Sequence, residues 1–246
     1  VIRVRELGRV PYEETWQAMR DFTLRRGPDT ADELWVVEHP PVYTLGLAGR
    51  PEHLRDPGAI PVIASDRGGQ VTYHGPGQVI VYTLVDLRRA GFYVRELVYR
   101  IEQSVLQTLD ALGVVGCRVA GAPGIYVPGP AGPWAEARFA GKAKIAALGI
   151  KVHRACSYHG AALNVAMDLA PFAAIDPCGY RGLATADLAT LGVTRTPGDV
   201  AALWVERLCA HLQPAALPEP LPAALPAVLP GAAAGHSAAA GLESAA

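Results

Sequence analysis

Glycine and proline interrupt this chain so often that only short elements fit between them. Pro40-Pro41, Gly68-Gly69 and His74-Gly75-Pro76-Gly77 follow one another within the first third of the sequence. Proline fixes φ and donates no N–H, while glycine admits backbone conformations that other residues avoid. The 246 residues include 26 glycines and 21 prolines. That share is well above the usual one and predicts many turns and few long helices. Between the stops, alternating or continuous apolar runs predict strands at 1–7, 33–39, 42–47, 61–64, 70–73, 78–84, 114–119, 124–127, 142–152 and 157–165. Segments 142–152 and 157–165 lie so close that they predict an antiparallel hairpin turning near Arg154.

Helical spacing is confined to a few places. It predicts helices at 12–24, 94–112 and 199–212, with a short one at 185–191. Over 94–112, Leu97, Ile101, Val105, Leu109 and Leu112 recur three or four residues apart, and Gly113 closes the run. Residues 128–140 read as a loop anchored by Trp134. The order of elements predicts an α+β domain, helices packed on a mixed or antiparallel sheet, over residues 1–212. From 213 to 246 the sequence turns into Ala/Pro repetition, which predicts a flexible tail.

Charge and cysteine content narrow the function classes. The 22 basic and 23 acidic residues nearly cancel, unlike the basic excess of a nucleic-acid binder. No uncharged apolar run reaches the ~18 residues of a membrane span, so no membrane partner is expected. The four cysteines, at 117, 156, 178 and 209, show no CxxC spacing. Free thiols in a cytoplasmic protein are the expectation. HExxH and paired-cysteine spacings are missing too, so no metal centre and no cofactor are expected. With no helix to spare for self-association, a monomer is expected.

Four segments concentrate polar chemistry among small residues. In RGGQVTYHGPGQ at 67–78, Arg67, Thr72, His74 and Gln78 stand between glycines and a proline. Glycine permits close backbone approach to a ligand; a tight hairpin with a satisfied histidine is the alternative. In GKAKIAALGIKV at 141–152, Lys142 and Lys144 share one strand face and Ala143 and Ile145 the other. A lysine drawn into a pocket would have its pKa lowered by desolvation and so serve as a base; an edge lysine that blocks aggregation is the alternative. SYHGAALNV at 157–165 breaks an apolar strand at His159-Gly160. Cys178 lies between Pro177 and Gly179, a turn position that favours exposure over packing. A thiolate is a good acyl-transfer nucleophile when a base stands nearby, and Lys144, His74 and His159 are all available for that role.

Taken in order, these segments resemble the octanoyltransferase family, also called lipoyl(octanoyl) transferase or lipoate–protein ligase B. The match is carried by RGGQVTYHGPGQ at 67–78, GKAKIAALGIKV at 141–152, SYHGAALNV at 157–165 and DPCGY at 176–180, with VVEHPPVYTLG at 36–46 similar too. The resemblance implies the biotinyl/lipoyl protein ligase catalytic-domain fold, an α/β sandwich related to class II synthetase cores. It implies transfer of an octanoyl group from acyl carrier protein to a lipoyl-domain lysine, on a 2-oxoacid dehydrogenase or the glycine-cleavage H protein, without ATP or metal. Cys178 then resembles the catalytic cysteine and Lys144 its acid/base partner. Arg67, Gly68, Gly69, Tyr73, His74 and Gly75 resemble one wall of the acyl site. Ala146, Ala147, Leu148, Gly149, Ser157, Tyr158, His159 and Gly160 resemble the rest. One departure is visible: Leu183-Ala184-Thr185-Ala186 stands where the family commonly carries Val-Thr-Ser, so the hydroxyl at 186 is missing.

Two other functions fit parts of this pattern. An ATP-dependent lipoate or biotin ligase shares the fold and an active-site lysine but needs no cysteine. A non-catalytic acyl or carrier-protein binder would use the glycine turns as scaffold. Arg50, Arg67, Lys151 and Arg154 are expected to form a basic rim that steers acidic protein substrates.

Overall fold

A computed structural model describes residues 2–130 and 136–213. Its elements are β1 (Ile2–Arg9), α1 (Tyr12–Arg25), β2 (Asp32–Glu38), β3 (Val42–Leu45), β4 (Val62–Ala64), β5 (Val71–His74), β6 (Gln78–Leu84) and α2 (Leu87–Ala90). Then follow α3 (Val94–Ala111), β7 (Cys117–Val119), β8 (Ala122–Pro128), β9 (Lys142–His153), β10 (Cys156–Asn164), β11 (Ala184–Thr185) and α4 (Pro197–Leu212). The large sheet runs β1-β2-β6-β10-β9-β8-β7, with β11 added along β9. A small sheet, β4-β3-β5, stands apart from it. The expected α+β sandwich is what forms.

Strand alternation sorts the two faces. On β6, Val79 and Val81 join the core beneath α3 and α4, with Leu97, Ile101, Trp204 and Leu208. Ile80 and Tyr82 point the other way, into a cluster with Met19 of α1, Trp35 and Ala162. Every residue of β6 is buried, as its unbroken apolar run requires. The third cluster, Tyr43, Val71, Tyr73, Phe172 and Ile175, belongs to the small sheet. Among the described residues, no helix is long and apolar enough to cross a membrane.

The hairpin of β9 and β10 forms as expected, His153 pairing with Cys156. Arg154 and Ala155 make the turn at φ 48° and 64°. Two successive positive φ values match the right-handed twist of the flanking strands. Other expectations change. No helix forms over 185–191; Ala184 and Thr185 pair with Ala143 and Lys144 instead. The Asp187 carboxylate then accepts from the N–H groups of Met167 and Thr190, holding the following turn. Of the strand expected at 114–119, only β7 (Cys117–Val119) forms. Trp134 and the tail from residue 214 onward lie outside the described residues.

Candidate active site

Lys144 enters a cavity because the neighbouring strand makes room for it. On β8, Gly124 sits at φ +126°, and a Cβ there would lie 2.6 Å from Lys144 Cε. Across that gap the buried Lys144 Nζ donates to the Pro123 carbonyl at 3.0 Å and lies 5.3 Å from the Tyr126 ring centre. The Gly124 N–H is itself tied to Glu102, which Arg118 pairs at 2.8 Å. Lys142, one pleat earlier, lies at the rim and donates to Ala140. The alternation expected for this strand therefore holds: Ala143 and Ile145 go to the core and Lys144 to the cavity.

The Pro177–Gly179 turn borders the same cavity. Pro177, Lys144, Thr185, Gln78 and Asn164 all line it. The turn is a single 3-10 turn, held by the Asp176 N–H donating to the His53 carbonyl at 2.8 Å. Arg55 Nε stands 3.6 Å from the Asp176 carboxylate. The Cys178 side chain lies outside the described set. Burial pushes the thiols of Cys156 and Cys209 up, which keeps them protonated.

A longer trough continues from this cavity, with Thr72 and Ala147 as the shared border. Its floor is paired strand backbone: Ala147 opposite Ala162, Leu148 opposite Ala161, Gly149 opposite Gly160. Gly160 must be glycine, since a Cβ would come within 2.0 Å of the Val81 carbonyl. Above lie Gly69 and the start of β5. Along its wall Tyr12 stacks with His74 and with His159, at 6.0 and 6.5 Å between ring centres. His159 takes φ +60°, rare for a residue with a side chain. The Asp66 carboxylate anchors it at 2.9 Å and also accepts from Trp16 and Tyr158. Burial works against the Asp66 charge, but these three donors outweigh it and hold the carboxyl well below its usual range.

Several residues proposed from sequence act as supports. Arg67 is buried, and its guanidinium donates to Thr44 Oγ1 and to the carbonyls of Thr44, Gly68 and Gln70. It braces the loop while also lining the trough, and being buried it is not part of an exposed basic rim. Tyr73 packs against Tyr43 and Phe172. A Cβ on Gly75 would overlap the Tyr73 hydroxyl at 2.3 Å. Ser157 ties strand ends together, donating to the Thr83 carbonyl and accepting from the Val85 N–H. Tyr158 points at Asp66, away from the trough. Ala146 packs in the core beneath α3 and also lines the Lys144 cavity.

Comparison with known proteins decides the family. Residues 11–207 match the lipoyl protein ligase A/B catalytic domain. An octanoyltransferase of Polaromonas naphthalenivorans (strain CJ2) is 56% identical over 224 residues, 87% of this chain and 99% of the relative. That of Bordetella petrii is 59% identical over 211 residues, 85% of this chain and 93% of the relative. The chain belongs to the octanoyltransferase family. Solved structures share the family's fold at low identity. A chain of the archaeal lipoylation system from Thermoplasma acidophilum superposes with a TM-score of 0.64 at 14% identity, covering 85% of this chain and 83% of its own. Lipoate-protein ligase A bound with ATP gives 0.62 at 16%, covering 85% of each. The expected relation to the biotinyl/lipoyl ligase catalytic fold is thus correct.

What sequence reasoning missed around this family's cavity is a buried amide relay. His74 Nδ1 donates to Gln78 Oε1 at 2.7 Å, Gln78 Nε2 to Asn164 Oδ1 at 2.9 Å, and Asn164 Nδ2 to the Ala186 carbonyl at 2.9 Å. Ala186 N–H then donates to the Lys144 carbonyl at 3.0 Å. Asn164 thereby links three segments far apart in sequence. The available signal was two amides within otherwise apolar strands, since buried amides need partners.

Proposed function

We propose that this octanoyltransferase moves its acyl group from the phosphopantetheine thioester of acyl carrier protein to a lipoyl-domain lysine, through a thioester on Cys178. The supporting observation is the shared cavity: Lys144 and Pro177, the residue before Cys178, line one space that borders the trough. Lys144 takes the thiol proton, and the Cys178 thiolate attacks the donor carbonyl. The carbon–sulfur bond to pantetheine breaks, and Lys144 returns the proton to that leaving thiolate. The acceptor lysine, as a neutral amine, then attacks the Cys178 thioester. Its amide bond forms while the Cys178 sulfur leaves, and Lys144 carries the surplus proton back to that sulfur. Thioester becomes amide with no outside energy source. Each buried methylene adds ~0.8 kcal/mol, so an octanoyl tail gains up to about 5 kcal/mol over acetyl.

Intact mass after mixing with octanoyl-acyl carrier protein tests the proposal. One octanoyl mass should appear on Cys178 and disappear when a lipoyl domain is added. Cys178→Ala should abolish both events. Transfer that survives this substitution and requires ATP would return the choice to the ligase reading.

A further inference from the structure

The trough is closed at one end by backbone, and that closure falls a fixed distance from Lys144. The 67–69 loop crosses β9 at residues 148–150. Gly68 N–H donates to the Ile150 carbonyl at 3.2 Å. The contact is tight on both sides: a Cβ on Gly149 would lie 2.7 Å from the Gly68 carbonyl, and one on Gly68 would lie 3.0 Å from that of Ile150. Two glycines let the chains touch there. Arg67 fixes the loop through its bonds to Thr44 and Gln70.

The register supplies a length. Ile145 is bulged, so Tyr126 pairs with Lys144 while Ile125 pairs with Ala146. From Lys144 to Gly149 are then four partner steps, about 13 Å at ~3.3 Å each. That span is the stretch of trough between the strand position of Lys144 and the crossing, and it falls between the extended lengths of an eight- and a twelve-carbon chain. An extended eight-carbon chain measures about 9 Å from carbonyl carbon to methyl, and a twelve-carbon chain about 14 Å, with C–C bonds of ~1.52 Å.

We propose that the crossing of the 67–69 loop over β9 is the chain-length stop of this enzyme, with Arg67 the positioning residue that holds it shut. The inference rests on the acyl-transfer reading above and adds the element that rejects longer chains. A backbone stop differs from a side-chain plug: no rotamer change opens it, and loosening the loop's anchor relaxes it.

The test is kcat/KM for transfer from acyl carrier protein loaded with six-, eight-, ten- and twelve-carbon chains, using the full chain. The unaltered protein should fall off sharply beyond eight carbons. Arg67→Ala should lower eight-carbon transfer while raising the twelve-to-eight ratio about tenfold or more. Should Arg67→Ala not fold, Thr44→Val removes one tether at nearly constant volume and should raise the twelve-to-eight ratio about threefold. The stop is overturned if the unaltered protein accepts twelve carbons as readily as eight, or if the folded anchor variants keep its ratio. Failure of the transfer reading looks different: the folded protein then turns over no chain of any length.

Discussion

At the scale of single residues, the site depends as much on absent side chains as on present ones. Lys144 reaches its cavity because Gly124 carries no Cβ, and the Pro123 carbonyl holds its Nζ. Gly124→Ala should therefore displace the lysine and strain a backbone held at φ +126°. Turnover is expected to fall about a hundredfold, as for an ångström-scale misplacement of a catalytic group. Single-turnover acylation and the melting temperature, measured together, check this. A folded variant with normal acylation would remove Lys144 placement from the argument. Arg67 combines two placements: it lines the trough, and its guanidinium donates to Thr44 and to the carbonyls of its own loop.

At the scale of elements, periodicity reveals what a strand is but not where it slips. The 142–152 run announces a strand, and its first four residues alternate as expected. The bulge at Ile145 then shifts the pattern, so that Ala146 as well as Ile145 joins the core cluster and Ala147 lines the trough. An extra residue reverses inside and outside downstream. Nothing in KAKIAALG marks that point, because alanine suits either face. The helix expected at 185–191 fails for a related reason: two residues gain sheet partners on β9, and pairing overrides weak local propensity. By contrast α4 has local and global signals in agreement. Thr196 and Asp199 form a reciprocal cap, and Trp204 is buried with its indole N–H donating to Ser104 at 2.9 Å. Removing the Thr196 hydroxyl by substitution with alanine should cost about 1 kcal/mol. Denaturant unfolding measures that loss. Acyl transfer should be unaffected, since α4 packs on the sheet face away from the trough.

At the scale of the whole molecule, imidazoles are enclosed beside the trough. Burial lowers His39 to about 4, against a bond to the Val10 carbonyl that acts in the other direction. Burial and the neighbouring His39 lower His74 to about 3. Both rings are neutral in the folded protein at neutral pH, whereas the unfolded chain takes up their protons near pH 6.5. Above that pH they contribute no pH dependence. As pH falls below 6.5 the unfolded state binds more protons and is favoured, until the folded-state values are passed. His39 alone removes up to about 3 kcal/mol between pH 6.5 and 4. The melting temperature should drop steadily across that window, and His39→Asn should flatten the slope even though it starts lower. A melting temperature constant from pH 6.5 to 4 would show that these rings are not held neutral.

Residue order alone determined the α+β class, the β9–β10 hairpin, the long helices α1, α3 and α4, and the segments that carry the chemistry. Those features rest on local physics: backbone preferences, apolar period and the chemical character of each side chain. Tertiary structure decided which of two lysines enters the cavity, that Arg67 is a strut, that two amides join His74 to the strand of Lys144, and where the trough ends. Each of these depends on the distance between segments remote in sequence, and a chain's one-dimensional pattern carries no distances until its strands have chosen partners and register.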